Sequence, residues 1–312
     1  MKRLKWVFVF FFVFLSTVSA ESTYFDIRSV GSSASSIGMG RMLGFNHSAA
    51  TVFETPSGLY DVQNISISAF SSTLFGEVNY TNLAFAKRFD YGVLGFGYYE
   101  STIGGLYTSY QDSFSEYKWG NEFSNKRSVF SVSYGADWTS HLFGGISVLY
   151  FQQNNPGIAG YNNSGFNADF GLTWHDQWGE AVLSAKNILR GVGIADESGQ
   201  IEPLATAVSL GGRYKTHLGD VLGQLQYVEN SKSFLRSLGY RIYPMPWLDM
   251  TVSVKDHLNG QVLAQTWTAG MGLTVSGLSF QYAFEPSGVV GTDSFHFFSL
   301  SIDIPQSLAG EK

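Results

Sequence analysis

The chain has 312 residues, 16% aromatic and only 14% charged, with 35 glycines, 7 prolines and no cysteine. Its formal charge of −6 argues against a nucleic-acid partner, and the lack of cysteine excludes disulfide staples and thiolate metal sites. The charged share is well below the usual quarter of residues, which makes an ordinary soluble surface hard to build.

The first twenty residues, MKRLKWVFVFFFVFLSTVSA, pair a basic opening with a short apolar run and a small-residue end. They read as a secretory signal peptide, cleaved after Ala20. Its removal takes three of the 19 basic side chains and none of the 25 acidic ones, leaving −9. Residues 21–62 are dense in Ser and Gly and hold no strand period.

From residue 63 to 304 the apolar period is two. About fourteen strands of roughly ten residues follow, the length that crosses a bilayer when tilted. They are expected near 63–72, 78–88, 91–101, 127–138, 141–152, 165–175, 178–188, 203–214, 218–229, 233–243, 246–255, 264–274, 277–285 and 293–304. Along NADFGLTWHD, Ala168, Phe170, Leu172 and Trp174 alternate with Asn167, Asp169, Gly171, Thr173 and His175. No later apolar run is long enough for a membrane helix, so the apolar face of each strand is assigned to lipid. The strands near 91–101 and 141–152 are apolar on both faces, so their inner sides are expected to meet an internal plug or a greasy ligand.

Connection length sorts by parity. Even connections such as Phe89-Asp90, Thr139-Ser140 and Asp176-Gln177 are tight, and the long ones, led by Thr102 to Lys126, are all odd. Tyr and Trp cluster at both ends of the strands. Tight periplasmic turns, longer external loops and two aromatic girdles are the pattern of an outer-membrane barrel. The fold expected is all-β: a transmembrane, antiparallel, up-and-down β-barrel of about fourteen strands. Such a barrel is too wide for its own side chains to fill. Residues 21–62 are therefore expected to lie in the lumen as a hatch, with 305–312 as a C-terminal tail.

Within the hatch, IGMGRMLGFNHSAATVFETPSGL (residues 37–59) resembles the N-terminal signature of the FadL-like outer-membrane proteins. The likeness is closer to the PorV/PorQ branch and the related UPF0164 group. Met39 and Gly40 match its first part, and Phe53, Pro56, Gly58 and Leu59 its second; Thr55 and Ser57 replace the usual Asn and Ala. The resemblance implies a hatch-plugged barrel that passes hydrophobic small molecules, such as long-chain fatty acids, by hatch rearrangement and lateral release beside a kinked third strand. Gly92, Gly95 and Gly97, with Phe96 among them, are the candidates for that lateral gap.

Asp137, Asp169, Arg213, Arg241 and Glu285 are expected to face the lumen, with Arg213 and Arg241 holding the hatch through acidic partners. Tyr107, Tyr110, Phe114, Tyr117 and Trp119 give the longest loop an aromatic surface, suited to catching lipid or to a protein partner. No nucleophile motif, phosphate loop or metal-ligand spacing of the six histidines stands out, so no enzyme, cofactor or metal is expected. The partners expected are outer-membrane lipid and a hydrophobic ligand, with the protein a monomer in the bacterial outer membrane. A different reading is a PorV-type component that holds a secretion-system protein, and a third is a closed structural barrel.

Overall fold

The computed structural model describes residues 25–305 except 112–115, 158–161, 191, 196–200, 260–261 and 288–293. The expected signal segment, most of the tail and Phe114 lie outside the described residues. Strands follow in the order β1 (Ile65–Leu74), β2 (Val78–Phe89), β3 (Gly92–Gln111), β4 (Tyr117–Thr139), β5 (Leu142–Asn154), β6 (Asn162–Asp176), β7 (Gly179–Lys186), β8 (Gly193–Ala195) and β9 (Ile201–Pro203). They continue with β10 (Ala207–Thr216), β11 (Gly219–Val228), β12 (Ser233–Met245), β13 (Leu248–Asn259), β14 (Val262–Val275), β15 (Leu278–Glu285) and β16 (Phe295–Ile304).

All pairings are antiparallel between neighbours, and β1–β16 together with β5–β6 closes the ring. Leaving aside the three-residue strands β8 and β9, the barrel has fourteen strands. Closure leaves no sheet edge, which is what a membrane-spanning sheet requires.

Inside and outside follow the period-two reading. Asn167, Asp169 and Thr173 are buried, whereas Trp174 is exposed. Phe130, Val132 and Tyr134 point out opposite buried Ser131 and Ser133. Val252 and Val254 point out opposite buried Thr251, Ser253 and Lys255. The inner wall is rich in serine, and small hydroxyls leave room for a chain segment within the ring.

Two loops depart from expectation. Of the stretch from Thr102 to Lys126, residues up to Gln111 continue β3 and those from Tyr117 belong to β4 rather than to a loop. Pairing runs on to Gln111↔Tyr117, with register shifts between Ile103 and Leu106 and between Tyr107 and Ser109. The connection after β7 contains β8 and β9, which pair with each other and with β6 at Ser164↔Ala195.

That connection also marks a fault in the wall. β6 meets β7 at Phe170↔Ala185 and β8 at Ser164↔Ala195. Between those pairs β6 advances six residues while the partner chain advances ten, so four residues leave the ladder. β8–β9 pairing and β7–β10 pairing are likewise out of register across the same level. Asn187, the first residue past β7, adopts a left-handed backbone (φ 54), a conformation Asn tolerates better than most residues.

Candidate functional site

The lumen is occupied by residues 26–62. A 3-10 turn (Ile27–Val30) is followed by a short helix α1 (Ala34–Gly38) and two further 3-10 turns (Ala49–Phe53 and Pro56–Asp61). Side-chain caps fix the starts of the first three: Asp26 accepts from the Arg28 amide, Ser33 from Ser36, and Ser48 from Ala50. Pro56 opens the last turn, where its missing N–H costs nothing. With no strand in the segment, the backbone is held by such caps and by the wall's side chains.

The hatch motif residues are all inside. Met39, Phe53, Pro56, Gly58 and Leu59 are buried, and Gly40 sits at φ 69 against Ser253. Ser253 and Thr268 both donate to the Gly38 carbonyl, and Ser131 to that of Val52. Ser57 accepts from Thr173, so the serine at the usual alanine position gains a partner on the wall. Phe53 packs edge-on to Tyr99 at 5.4 Å, and the Tyr99 hydroxyl donates to the Gly31 carbonyl. Val93 and Tyr99 of β3 and Phe143, Leu149 and Phe151 of β5 share one buried cluster with Val52, Phe53 and Leu59. These are the two strands that read as apolar on both faces.

The third-strand candidates do not form a gap. Pairing of β3 is unbroken from Gly92 to Ile103 with β2 and from Val93 to Ile103 with β4. Gly95 and Gly97 face inward because Val52 and Phe53 fill the space a Cβ would need, 2.7 and 2.4 Å away. Gly92 opens β3 just past the tight turn, paired with Phe89, at φ 150. Phe96 points outward, 44% exposed, and is not a lumen residue. Gly97→Val is therefore expected to overpack the hatch and lower stability by about 1–3 kcal/mol. Gly104→Val, at a site open to solvent, serves as the control in the same thermal-unfolding comparison.

The charged residues hold the hatch with the polarity opposite to expectation. Arg213 does reach the hatch, but through the His47 Nε2 at 2.7 Å, while its acidic partners Glu180 and Asp220 belong to the wall. Arg241 donates to the Ser35 hydroxyl at 3.0 Å, with Asp249 of the wall at 3.6 Å. The direct ion pairs between hatch and wall run the other way. Arg28 meets Asp169 at 2.6 Å and Arg41 meets Glu285 at 2.6 Å. Asp137 sits at the short-turn rim, half-exposed, paired with Arg88 at 3.2 Å. Arg88 in turn donates to the carbonyls of Tyr60 and Val62, clamping the end of the hatch. The hatch contains only two arginines, Arg28 and Arg41. That scarcity, set against inward Asp169 and Glu285, was the signal available in the sequence.

Arg28 is the centre of the strongest cluster. It also bonds Asp26 at 2.7 Å and the Asn187 side-chain oxygen at 2.9 Å, and lies over the Phe151 ring. Burial alone would raise the Asp26 carboxyl; the charges of Arg28 and Lys186, with the Arg28 hydrogen bonds, bring it down to about 2. Asn187 completes the cluster at the wall fault. Its amide donates to Asp169 at 2.8 Å, its side chain donates to the Ala205 carbonyl at 2.9 Å, and its own carbonyl accepts from Thr206 at 3.0 Å. Side chains thus reinforce the irregular stretch beside Asn187, where the Ile188 amide still donates to the Ala168 carbonyl at 2.9 Å.

Glu54 is buried in the hatch, bonded to Ser32 and Asn46 through one oxygen. Burial pushes its carboxyl above the ordinary range, only partly countered by Ser32, Asn46 and Ser36. The folded hatch then holds this proton more tightly than the unfolded chain does. Its contribution is full below the ordinary carboxyl pKa and is lost as pH rises through the raised value. Thermal midpoints of the wild type are expected to fall towards alkaline pH more steeply than those of Glu54→Gln. Parallel curves would contradict this assignment.

Two cavities flank the hatch. One of about 650 Å³ at the short-turn end is lined by Ser35, His47, Asp61, Arg241, Asp249 and Asp303 among others. The other, about 550 Å³ at the long-loop end, is lined by Asp26, Arg28, Glu54, Lys186, Asn187 and Lys255 among others. The continuation of β3 and β4 carries exposed Tyr107, Tyr110, Tyr117 and Trp119, the last two about 80% exposed.

A closed, hatch-filled barrel of fourteen antiparallel strands is the architecture of FadL-type outer-membrane barrels. Solved structures share it. The CymD monoaromatic hydrocarbon channel superposes with a TM-score of 0.59 at 12% identity, over 89% of this chain and 98% of that one. The P. putida toluene transporter TodX gives 0.58 at 10% identity, over 84% and 95%. A Pseudomonas aeruginosa FadL homologue gives 0.55 at 9%, over 87% and 98%. At such identities the likeness is one of fold. No family model matches the sequence, and no curated protein matches it.

Proposed function

We propose that this protein is a bacterial outer-membrane barrel that admits hydrophobic small molecules, long-chain fatty acids among them, and that the structure is its closed state. The observation that carries the reading is the hatch. It is a packed segment between two cavities, held by side-chain contacts and two hatch-to-wall ion pairs, without a single strand pairing to the wall. Such an element can move without unzipping the barrel. The short-turn end faces the periplasm and the long-loop end the exterior. The fold likeness to channels for toluene and monoaromatic hydrocarbons supports the substrate class. Lateral release belongs at the wall fault beside Asn187, where the ladder breaks register, side chains of Asn187 and Thr206 supplement it, and apolar Ile188, Leu189 and Val192 are exposed.

A second reading has its own observation. The β3–β4 ribbon runs past the ends of β2 and β5 and presents four exposed aromatic residues. Such a ribbon suits a PorV/PorQ-like role in holding a secretion-system protein. Native mass spectrometry on gently extracted protein separates the two. Bound lipid or hydrocarbon that survives deletion of residues 104–124 supports transport. A stoichiometric protein partner lost on that deletion, with no small ligand, overturns it in favour of the second reading.

A further inference from the structure

At the short-turn end, His47 carries the middle of the hatch to the wall. Its chain neighbours bond within the hatch: Asn46 donates to Ser33 and Glu54, and Ser48 donates to Asn46. The His47 ring instead faces β10, with Nε2 2.7 Å from a terminal nitrogen of Arg213. A guanidinium has donors only, so Nε2 must be the lone pair that accepts. The ring is therefore neutral and its proton sits on Nδ1. Nδ1 lies 3.1 Å from the Asp61 carboxylate, out of line for a hydrogen bond. The ring is thus bonded to the wall and has an acid of the hatch waiting at its other nitrogen.

The groups around the ring sort into two sets. On the hatch, Asp61 faces Nδ1, and Tyr60 packs edge-on at 6.1 Å. Burial alone would raise the Asp61 carboxyl; His47, Arg213 and Lys215 bring it below the ordinary range, so it stays ionised. On the wall, Arg213 pairs with Glu180 of β7 and lies 3.8 Å from Asp220 of β11. Glu180 also accepts from Tyr60, and Asp220 from Tyr243. Both carboxylates are thus held by Arg213 and a tyrosine. His175 of β6 stacks on Tyr60 at 4.7 Å. Arg241 and Asp249, 3.6 Å apart, line the same cavity as His47, and so does Asp303 of β16. A second proton on the ring would meet Arg213 and Lys215 on one side and Asp61, with Asp303, on the other.

We propose that His47 is a proton-operated latch between the hatch and the wall. When the imidazole takes up a proton, Nε2 becomes a donor facing donors and a cation facing a cation, so the contact with Arg213 breaks. Its attraction to Asp61 grows at the same time. His47 exchanges a wall partner for a hatch partner, and acid frees this end of the hatch from β10 without unfolding either. The side chain is 25% exposed and lines the short-turn cavity of about 650 Å³, so protons reach it from solvent. The latch goes beyond the transport reading and does not depend on it. It also opposes Glu54, whose raised carboxyl makes the hatch firmer towards acid.

Histidine ¹⁵N NMR and amide hydrogen exchange, both on the full-length protein in lipid nanodiscs, test it together. At about pH 8, where an imidazole is neutral, the His47 signals, identified by their loss in His47→Gln, should show the proton on Nδ1. Protection of the amides of residues 44–49, corrected for intrinsic exchange, should fall about tenfold or more between roughly pH 8 and pH 5, the worth of one hydrogen bond to a charged group. In His47→Gln, whose side chain accepts from Arg213 at every pH, protection should stay level or rise towards acid. Asp61→Asn should move the loss to lower pH, because the added proton then lacks its acid. Thermal midpoints report whether both variants fold, and Asp61→Asn carries the comparison if His47→Gln does not. A proton on Nε2 at the higher pH, no loss of protection in the wild type, or an equal loss in His47→Gln would overturn the latch. So would a loss unmoved by Asp61→Asn.

Discussion

Arg28→Met is expected to be the most damaging single substitution in the hatch. Arg28 is buried and joins Asp26, Asp169 and Asn187, so it ties the start of the hatch to β6 and to the wall fault together. Removing a buried charge leaves its partners uncompensated, and such losses run to about 3–5 kcal/mol. The shape of the effect follows from the geometry. Asp26 and Asp169 would lose their cation, and Asn187 one of the bonds that fix its left-handed backbone. Limited proteolysis of the hatch, followed alongside the thermal midpoint, is the measurement. Rapid cleavage within residues 26–62 with the barrel still folded is the expected pattern. Arg28→Met combined with Asp169→Leu should recover part of the loss, because Asp26 is then the one carboxylate of the two left without Arg28. Lys126→Met, which removes a partly exposed pair with Glu100 at the rim, should change little. A hatch as protected in Arg28→Met as in the wild type would remove the cluster from its role as an anchor.

The same comparison shows what the sequence made legible. The fourteen crossings and the facing of most wall side chains are readable because a period of two in apolar residues has one structural meaning when no edge is allowed. Trp174, Phe130 to Tyr134 and Val252 to Val254 need nothing beyond their own neighbours, whereas Ala168, assigned to lipid, is buried. Contacts between the hatch and the wall were not readable in that way. They join residues 141 and 244 positions apart, as in Arg28–Asp169 and Arg41–Glu285, and no local pattern encodes such pairs. Hence Arg213 and Arg241 were legible as inward but not by partner. The glycines of β3 show a different limit. A glycine inside a strand marks either a bend or a close neighbour, and only the position of Phe53 decides between them. The fault at Asn187 was hidden because the apolar alternation of Ala181, Leu183 and Ala185 stops there without a proline or glycine to announce it. The ribbon beyond Ile103 looks like a loop in sequence because Gly104-Gly105 breaks the alternation; the structure absorbs that break as a register shift.

The second large effect concerns the hatch as a moving part. A hatch this tightly packed leaves the proposed transport with one requirement, that it shift. The chain has no cysteine, so one engineered pair would form a single defined tether. Ala34 and Ser299 suit it: the Ala34 amide donates to the Ser299 hydroxyl at 3.1 Å, joining α1 to β16 across 265 positions of sequence. Both are buried, and a backbone-to-hydroxyl contact of this kind is compatible with the Cα separation of roughly 4.4–6.8 Å that a disulfide needs. In proteoliposomes, flux of radiolabelled toluene and octanoate through Ala34→Cys/Ser299→Cys is the direct test. Loss of flux in the oxidised protein, with recovery on reduction to the level of the cysteine-free parent, is the result expected if the hatch gates the lumen. Undiminished flux with the tether shown to be closed would contradict a moving hatch, and with it the transport account as stated.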